Sequence, residues 1–133
     1  MRFLSLLLAV FVLAGMAAAP PAAPALATWK KLGERTVDHA LDRDEIKVGV
    51  REGDFRSIKL VVKRRAVTFR DVKVHYRNGG VQDVALRREI GGGGETRVID
   101  LKGDDRFIQK VVFWYNTAPH RGRRAKVVLY GQR

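Results

Sequence analysis

Short runs in which apolar and polar residues alternate recur along most of the chain. In one of them, Ile46, Val48 and Val50 are spaced by two, with Lys47 between the first pair. A period of two places alternate side chains on one face of a β-strand. Runs of this kind, bounded by Gly, Asn, Asp and Arg, predict eight strands, over residues 30–37, 45–50, 55–63, 66–76, 81–88, 96–102, 107–117 and 124–131.

The alternation changes phase once, inside the predicted strand 66–76. Apolar residues stand at odd positions up to Phe69 and at even positions from Val72 onward. One extra residue near Arg70-Asp71 would return both sets to a single face, as a β-bulge does. A short turn that splits the segment is the alternative.

The connections are short and rich in turn-forming residues. Asn78-Gly79 tolerates positive φ at both central positions of a turn and predicts a β-hairpin at that point. The four glycines at 91–94 predict a flexible connection, and residues 118–123 predict a loop. The strongest helical signal is a single weak turn over residues 37–44.

Eight short strands with short connections predict an all-β domain. Parallel strands need crossovers of a dozen or more residues, so antiparallel sheets are expected. We predict a two-sheet, jelly-roll-like sandwich in preference to a closed barrel. The last two strands are expected to pair as a hairpin, and the alternation places four of their residues in the core: Val111, Phe113, Val127 and Leu129.

Residues 1–27 have a different character from the rest of the chain. Arg2 precedes an apolar run, which small residues and prolines follow, and the segment ends in Ala-Leu-Ala. This is the order of a secretory signal peptide. It predicts a periplasmic or secreted protein with one β-sandwich domain over residues 28–133 and no membrane-spanning segment in that domain. An uncleaved N-terminal anchor is the alternative.

The charge balance narrows the choice of partner. The chain has 26 Lys and Arg against 14 Asp and Glu, and its formal net charge is +12. Such a charge favours anionic partners. The export signal directs the protein away from nucleic acid and toward glycans, lipids or other proteins of the cell envelope. The absence of cysteine excludes disulfides and thiolate chemistry.

Residues with catalytic or metal-binding chemistry are scattered along the chain. His39, His75 and His120 lack the paired spacing of zinc ligands. No serine lies in a G-x-S-x-G turn, and the acidic residues before the second predicted strand lack the pattern of a calcium loop. We therefore expect a protein that is not an enzyme and that uses no metal and no cofactor.

Basic clusters provide the first candidate binding site. They fall at predicted strand ends or in loops, at residues 63–65, at residues 87–88, and at Arg121, Arg123 and Arg124. Strand ends on one side of a sandwich would gather such residues into a patch that attracts anions. An ordinary solvated surface that protects the sheet edges is the alternative.

The last two predicted strands provide the second candidate site, because they are apolar on both sides. If one side is core, the other gathers Trp114 and Tyr130 with Lys110 and Lys126. Aromatic rings beside cations suit sugar rings, and especially acidic glycans. The alternative is that this face is covered by Trp29 and the first strand, since strands apolar on both sides are usually buried on both sides.

Several strand-and-turn sequences extend over most of residues 28–133. They are residues 53–58, Asn78-Gly79 with Gln82, and residues 96–103, 106–108, 112–115 and 125–131. In these segments the chain resembles small exported bacterial proteins of unknown function, including the periplasmic proteins grouped as domain of unknown function 2541. The resemblance implies an exported β-rich domain and supplies no catalytic residue.

These observations lead to one functional hypothesis and its alternatives. We expect an exported, non-catalytic binding module whose ligand is an anionic or glycan component of the cell envelope. A structural envelope protein that pairs with another protein is the first alternative. A small hydrolase is the second.

We expect export to remove residues 1–27, because a charged start, an apolar middle and a small-x-small end are the parts of a signal peptide. N-terminal sequencing of the exported protein should begin at Thr28 or within a few residues of it. Retention of the full-length chain in the cytoplasm would contradict this prediction.

Overall fold

The structure, a computed structural model, describes residues 28–37, 41–117 and 124–133. Within these ranges there is one 3-10 turn, Val50–Glu52. The same ranges contain ten strands: β1 (Lys30–Val37), β2 (Leu41–Lys47), β3 (Asp54–Phe55), β4 (Ser57–Lys63), β5 (Val67–Tyr76), β6 (Val81–Val84), β7 (Arg88–Ile90), β8 (Ile99–Asp100), β9 (Arg106–Asn116) and β10 (Ala125–Gln132).

The strands form two antiparallel sheets, which confirms the predicted all-β, two-sheet class. The first sheet has the order β1-β10-β4-β8. The second has the order β2-β9-β5-β6, with β3 paired to β9 and β7 paired to β5. The count exceeds the predicted eight because two predicted strands are interrupted: Arg56 separates β3 from β4, and residues 85–87, which belong to no strand, separate β6 from β7.

Two predictions about strand position and pairing are wrong. Strand β2 begins at Leu41, so the weak helical turn over residues 37–44 does not form where the structure describes the chain. Strands β9 and β10 do not pair as a hairpin, because β9 belongs to the second sheet and β10 to the first. The segment between them therefore connects the two sheets.

The predicted core is confirmed although the predicted hairpin is not. Val111 and Phe113 on β9 are completely buried, and so are Val127 and Leu129 on β10. They enter one hydrophobic cluster from opposite sheets. Alternation fixes which side of a strand faces inward, and this holds whichever strand lies alongside.

The predicted β-bulge is present in β5. The register with β9 passes from Phe69, opposite Tyr115, to Asp71, opposite Trp114, so that Arg70 is the extra residue. Because of this residue, Phe69 and Val72 both face the core and both are buried. Strand β5 continues through the bulge, so the alternative of a splitting turn is wrong.

The hairpin predicted at Asn78-Gly79 is also present. Gly79 has a φ of 96°. The Gly79 amide donates to the Tyr76 carbonyl at 3.0 Å, and the Tyr76 amide donates to the Gly80 carbonyl at 2.8 Å. This turn joins β5 to β6.

The glycines at 91–94 form a fixed turn and not the flexible connection that was predicted. The Gly93 amide donates to the Val62 carbonyl at 2.7 Å, and the Val62 amide donates to the Gly94 carbonyl at 2.9 Å. A Cβ atom on Gly92 would lie 2.6 Å from the carbonyl carbon of Arg64. The glycine turn therefore packs directly on the backbone of the turn between β4 and β5.

The N-terminal segment 1–27 lies outside the described residues, as do residues 38–40 and 118–123. In the part of the chain that the structure describes, no helix has the length and apolar character needed to cross a membrane.

Phe113→Ala should lower the free energy of unfolding by about 3–5 kcal/mol. The ring is 0% exposed and meets Phe69 edge-on, with ring centroids 6.0 Å apart. Urea unfolding followed by circular dichroism measures the change. Phe107 is 50% exposed on the same strand, so Phe107→Ala is the matched control and should cost less than about 1 kcal/mol. A similarly small loss for Phe113→Ala would contradict the prediction.

Candidate functional site

The four residues of the predicted aromatic site do not share a surface. Trp114 and Lys110 lie on the outer face of the second sheet, on β9. Tyr130 and Lys126 lie on the outer face of the first sheet, on β10. The two outer faces of a sandwich point in opposite directions. The prediction of one combined site is therefore wrong, because it depended on a β9–β10 hairpin.

The outer face of the first sheet is already occupied by its own side chains. Tyr130 stands in register between Lys31 and Lys59. The Lys59 ammonium lies 3.0 Å from a carboxylate oxygen of Glu95 and 4.5 Å from the ring centroid of Trp29. Trp29 does cover an outer face, as the alternative interpretation expected, but the face is that of Tyr130 and not that of Trp114.

Lys126 is engaged on this same face by Glu34 of β1. Its ammonium lies 3.1 Å from one Glu34 carboxylate oxygen, and Lys31 lies 2.6 Å from the other. Hydrogen bonds from Lys31 and then Lys126 lower the pKa of Glu34 to about 2, against the opposing effect of desolvation. The charge of Lys126 is therefore balanced within the protein.

The outer face of the second sheet presents Trp114 beside polar neighbours. The ring is partly exposed and stands in register between Arg43 of β2 and Asp71 of β5. The Arg43 guanidinium carbon is 5.6 Å from the ring centroid. Lys110, four residues earlier on the same face, lies 3.4 Å from a carboxylate oxygen of Glu45. Trp114 thus remains accessible, while Lys110 is paired.

Asn116 lies on the same face as Trp114 and two residues further along β9. Its side-chain oxygen Oδ1 is buried and has no hydrogen-bond donor, the one such buried side-chain atom among the described residues. Leaving an acceptor buried without a donor costs about 1–3 kcal/mol. The residue opposite Asn116 on β5 is Thr68. Nothing in the sequence distinguishes Asn116, because burial of this atom depends on the neighbouring strands.

Basic side chains gather at one end of the sandwich. The turn between β4 and β5 lies there, against the glycine turn that leads out of β7. Strand β10 begins at the same end, since Lys126 is opposite Lys63. We call this the basic end, and it includes six cations that have no ion pair in the described part of the chain: Lys63, Arg64, Arg65, Arg70, Arg87 and Arg88.

The sequence predicted part of the basic end. The clusters at 63–65 and 87–88 both lie toward this end, because the turn after β4 packs on the glycine turn that follows β7. Arg124 lies just before β10, which begins at the same end. Arg70 was not among the predicted site residues. The phase change in β5 was a signal for it, because the extra residue of a bulge does not follow the alternation of its neighbours. Arg121 and Arg123 lie outside the described residues.

A groove opens beside the bulge at this end. Strand β5 pairs with β7 through Phe69 and with β6 from Val72 onward, so Arg70 and Asp71 have no partner strand on that side. The groove has a volume of about 350 Å³ and is lined by Thr68, Phe69, Arg70, Arg87, Arg88 and Glu89. Its lining contains three cations and one carboxylate.

The described residues contain no group of three or more His, Asp or Glu side chains arranged to hold a metal ion. His75 lies on β5 opposite Lys110, on the outer face of the second sheet. His39 and His120 lie outside the described residues.

The comparison with protein families matches residues 4–131 of the 133-residue chain to one family, Domain of unknown function (DUF2541). The chain belongs to this DUF2541 family. The match confirms the resemblance noted in the sequence. No curated protein and no solved structure matches the chain.

One of the segments that carried the resemblance has a structural role in this DUF2541 protein. Gln82 follows the Asn78-Gly79 turn and is buried. Its side-chain oxygen accepts from the Tyr76 hydroxyl and from the Lys102 amide, and its nitrogen donates to the Asp100 carbonyl at 3.0 Å. Gln82 therefore ties the β5–β6 hairpin to the connection between β8 and β9.

The Glu34 carboxyl should titrate near pH 2, because Lys31 and Lys126 hold it in the charged form. A pKa below the ordinary value means that this pairing stabilises the fold above about pH 4.5 and that its contribution is lost as the pH falls through 2. Carbon-13 NMR of the carboxyl group measures the titration. In Lys126→Met the pKa should move upward. An ordinary pKa in the unmodified protein would contradict the pairing.

Proposed function

We propose that this DUF2541 domain is an exported, non-catalytic module that binds an anionic component of the cell envelope through its basic end. The observation that carries the proposal is the set of unpaired cations at that end. Three of them, Arg70, Arg87 and Arg88, line one groove. An anionic glycan or lipid headgroup supplies the negative counter-charge that these guanidinium groups do not have among the described residues.

The distribution of acidic residues explains why this end is available. At the opposite end, Glu52 pairs with Lys30 at 2.9 Å, and Asp54 lies 3.6 Å from Arg133. Asp105 lies 3.8 Å from Arg56 in the turn before β9. Carboxylates therefore balance much of the positive charge at that end. The groove lining offers a single carboxylate. The nearby carboxylates of Asp71 and Asp83 are engaged by Lys73, so the positive potential of the groove arginines is not cancelled by them.

The N-terminal sequence supports the assignment of compartment. Residues 1–27 have the order of a secretory signal, and the family match begins at residue 4, so it includes most of that segment. An exported domain meets the anionic polymers and lipids of the envelope before it meets nucleic acid. The proposal therefore places the protein in the periplasm or outside the cell.

Retention on immobilised heparin tests the proposal. The triple variant Arg70→Gln, Arg87→Gln, Arg88→Gln removes the cations of the groove. It should elute at lower salt than the unmodified domain, and the slope of log affinity against log salt should fall by roughly one per lost contact.

The matched control removes three unpaired cations from the opposite end. The variant Lys47→Gln, Arg51→Gln, Lys102→Gln has the same net charge as the groove variant, and none of these side chains lines the groove. It should be retained nearly as well as the unmodified domain. Equal loss of retention in both variants would mean that only net charge matters, and it would favour the alternative of a structural protein whose partner is another protein.

A further inference from the structure

Resting on the proposed function, we infer that the anionic ligand is an acidic glycan, and that one of its sugar rings stacks on Trp114 while its acid groups reach the groove. Trp114, Asn116 and Thr68 lie next to one another on the outer face of the second sheet. The groove with Arg70 and Arg87 begins at Thr68. The aromatic surface and the cations are therefore parts of one continuous site.

Trp114 offers the flat apolar surface that a sugar ring needs. It is partly exposed in the middle of a charged face. The Arg43 guanidinium carbon is 5.6 Å from its ring centroid, compared with 3.6 Å for Arg106 over Tyr76. Arg43 is thus not stacked closely on the indole. The C–H face of a pyranose ring packs on such an aromatic surface through apolar contact.

Thr68 links the two parts of the site, because it stands opposite Asn116 on β9 and also lines the groove. A lipid headgroup or an inorganic phosphate would satisfy the arginines but would bring no ring to stack on Trp114.

The spacing of the strands sets the size of the ligand. Trp114 is on β9, Arg70 is on the adjacent β5, and Arg87 lies beside β5 just before β7. Neighbouring strands are about 4.8 Å apart, so Trp114 and Arg87, two strand positions apart, are separated by about 10 Å across the sheet. A short oligosaccharide covers this distance, with a uronic acid carboxylate between Arg70 and Arg87.

Isothermal titration calorimetry with two probes tests the inference. The first probe is an oligogalacturonate and the second an oligoglutamate of equal length with an acetylated N-terminus and an amidated C-terminus, which has the same number of carboxylates but no sugar ring. The unmodified domain should bind the oligogalacturonate more tightly. Trp114→Ala should weaken that binding about tenfold and leave the oligoglutamate affinity unchanged.

Two further variants keep the test independent of folding. In a Trp29→Phe background, Trp114 is the only tryptophan, and its fluorescence should change when the oligogalacturonate binds. Tyr130→Ala is the aromatic control on the other sheet and should leave the affinity for the oligogalacturonate unchanged.

The outcomes separate this inference from the proposed function. Equal affinity for the two probes, or unchanged oligogalacturonate binding in Trp114→Ala, overturns the glycan site. The proposed function still stands in that case if the Arg70, Arg87 and Arg88 variant loses heparin retention while its control does not. If that variant is retained normally and neither probe binds, both proposals are wrong.

Discussion

Burial of β9 on both of its faces is the constraint that organises this domain. Its inner side places Phe113 and Tyr115 in the core, with ring centroids 5.6 Å apart. Its outer side includes Val112, which is also completely buried. A strand of this kind must lie inside a sheet, and β9 lies between β2 and β5. Strand β10 has the same property, with Val128 buried on its outer side. Each sheet is therefore built around one of these strands.

The burial of the two outer valines determines where charge is neutralised. In the second sheet Val112 stands in register between Glu45 and Lys73, and in the first sheet Val128 stands next to Glu34. The carboxylates on these faces pair with nearby lysines. The chain has 14 Asp and Glu against 26 Lys and Arg, so the carboxylates that are paired on the two faces are not available at the strand ends. Cations without an ion pair therefore remain at both ends of the described part of the chain, and six of them lie at the basic end.

The features that the sequence predicted correctly are local ones. Alternation located most of the strands and the core side of β9 and β10, and the phase change near Phe69 located the bulge. Strand pairing is not local, and β9 and β10 were placed side by side because they are neighbours in the chain. That error joined Trp114 to Tyr130. The unpartnered oxygen of Asn116 could not be predicted for the same reason, since it results from packing between strands distant in sequence.

The glycine turn at 91–94 was misinterpreted because the lack of side chains suggested freedom of movement. Here the same property permits a close approach between two backbone segments, with Gly92 against Arg64. Any larger residue at that position would separate the two turns and move the cations that they hold. The spacing between positive charges at this end thus depends on a residue that carries no charge, and a substitution at Gly92 would alter that spacing without replacing a single arginine.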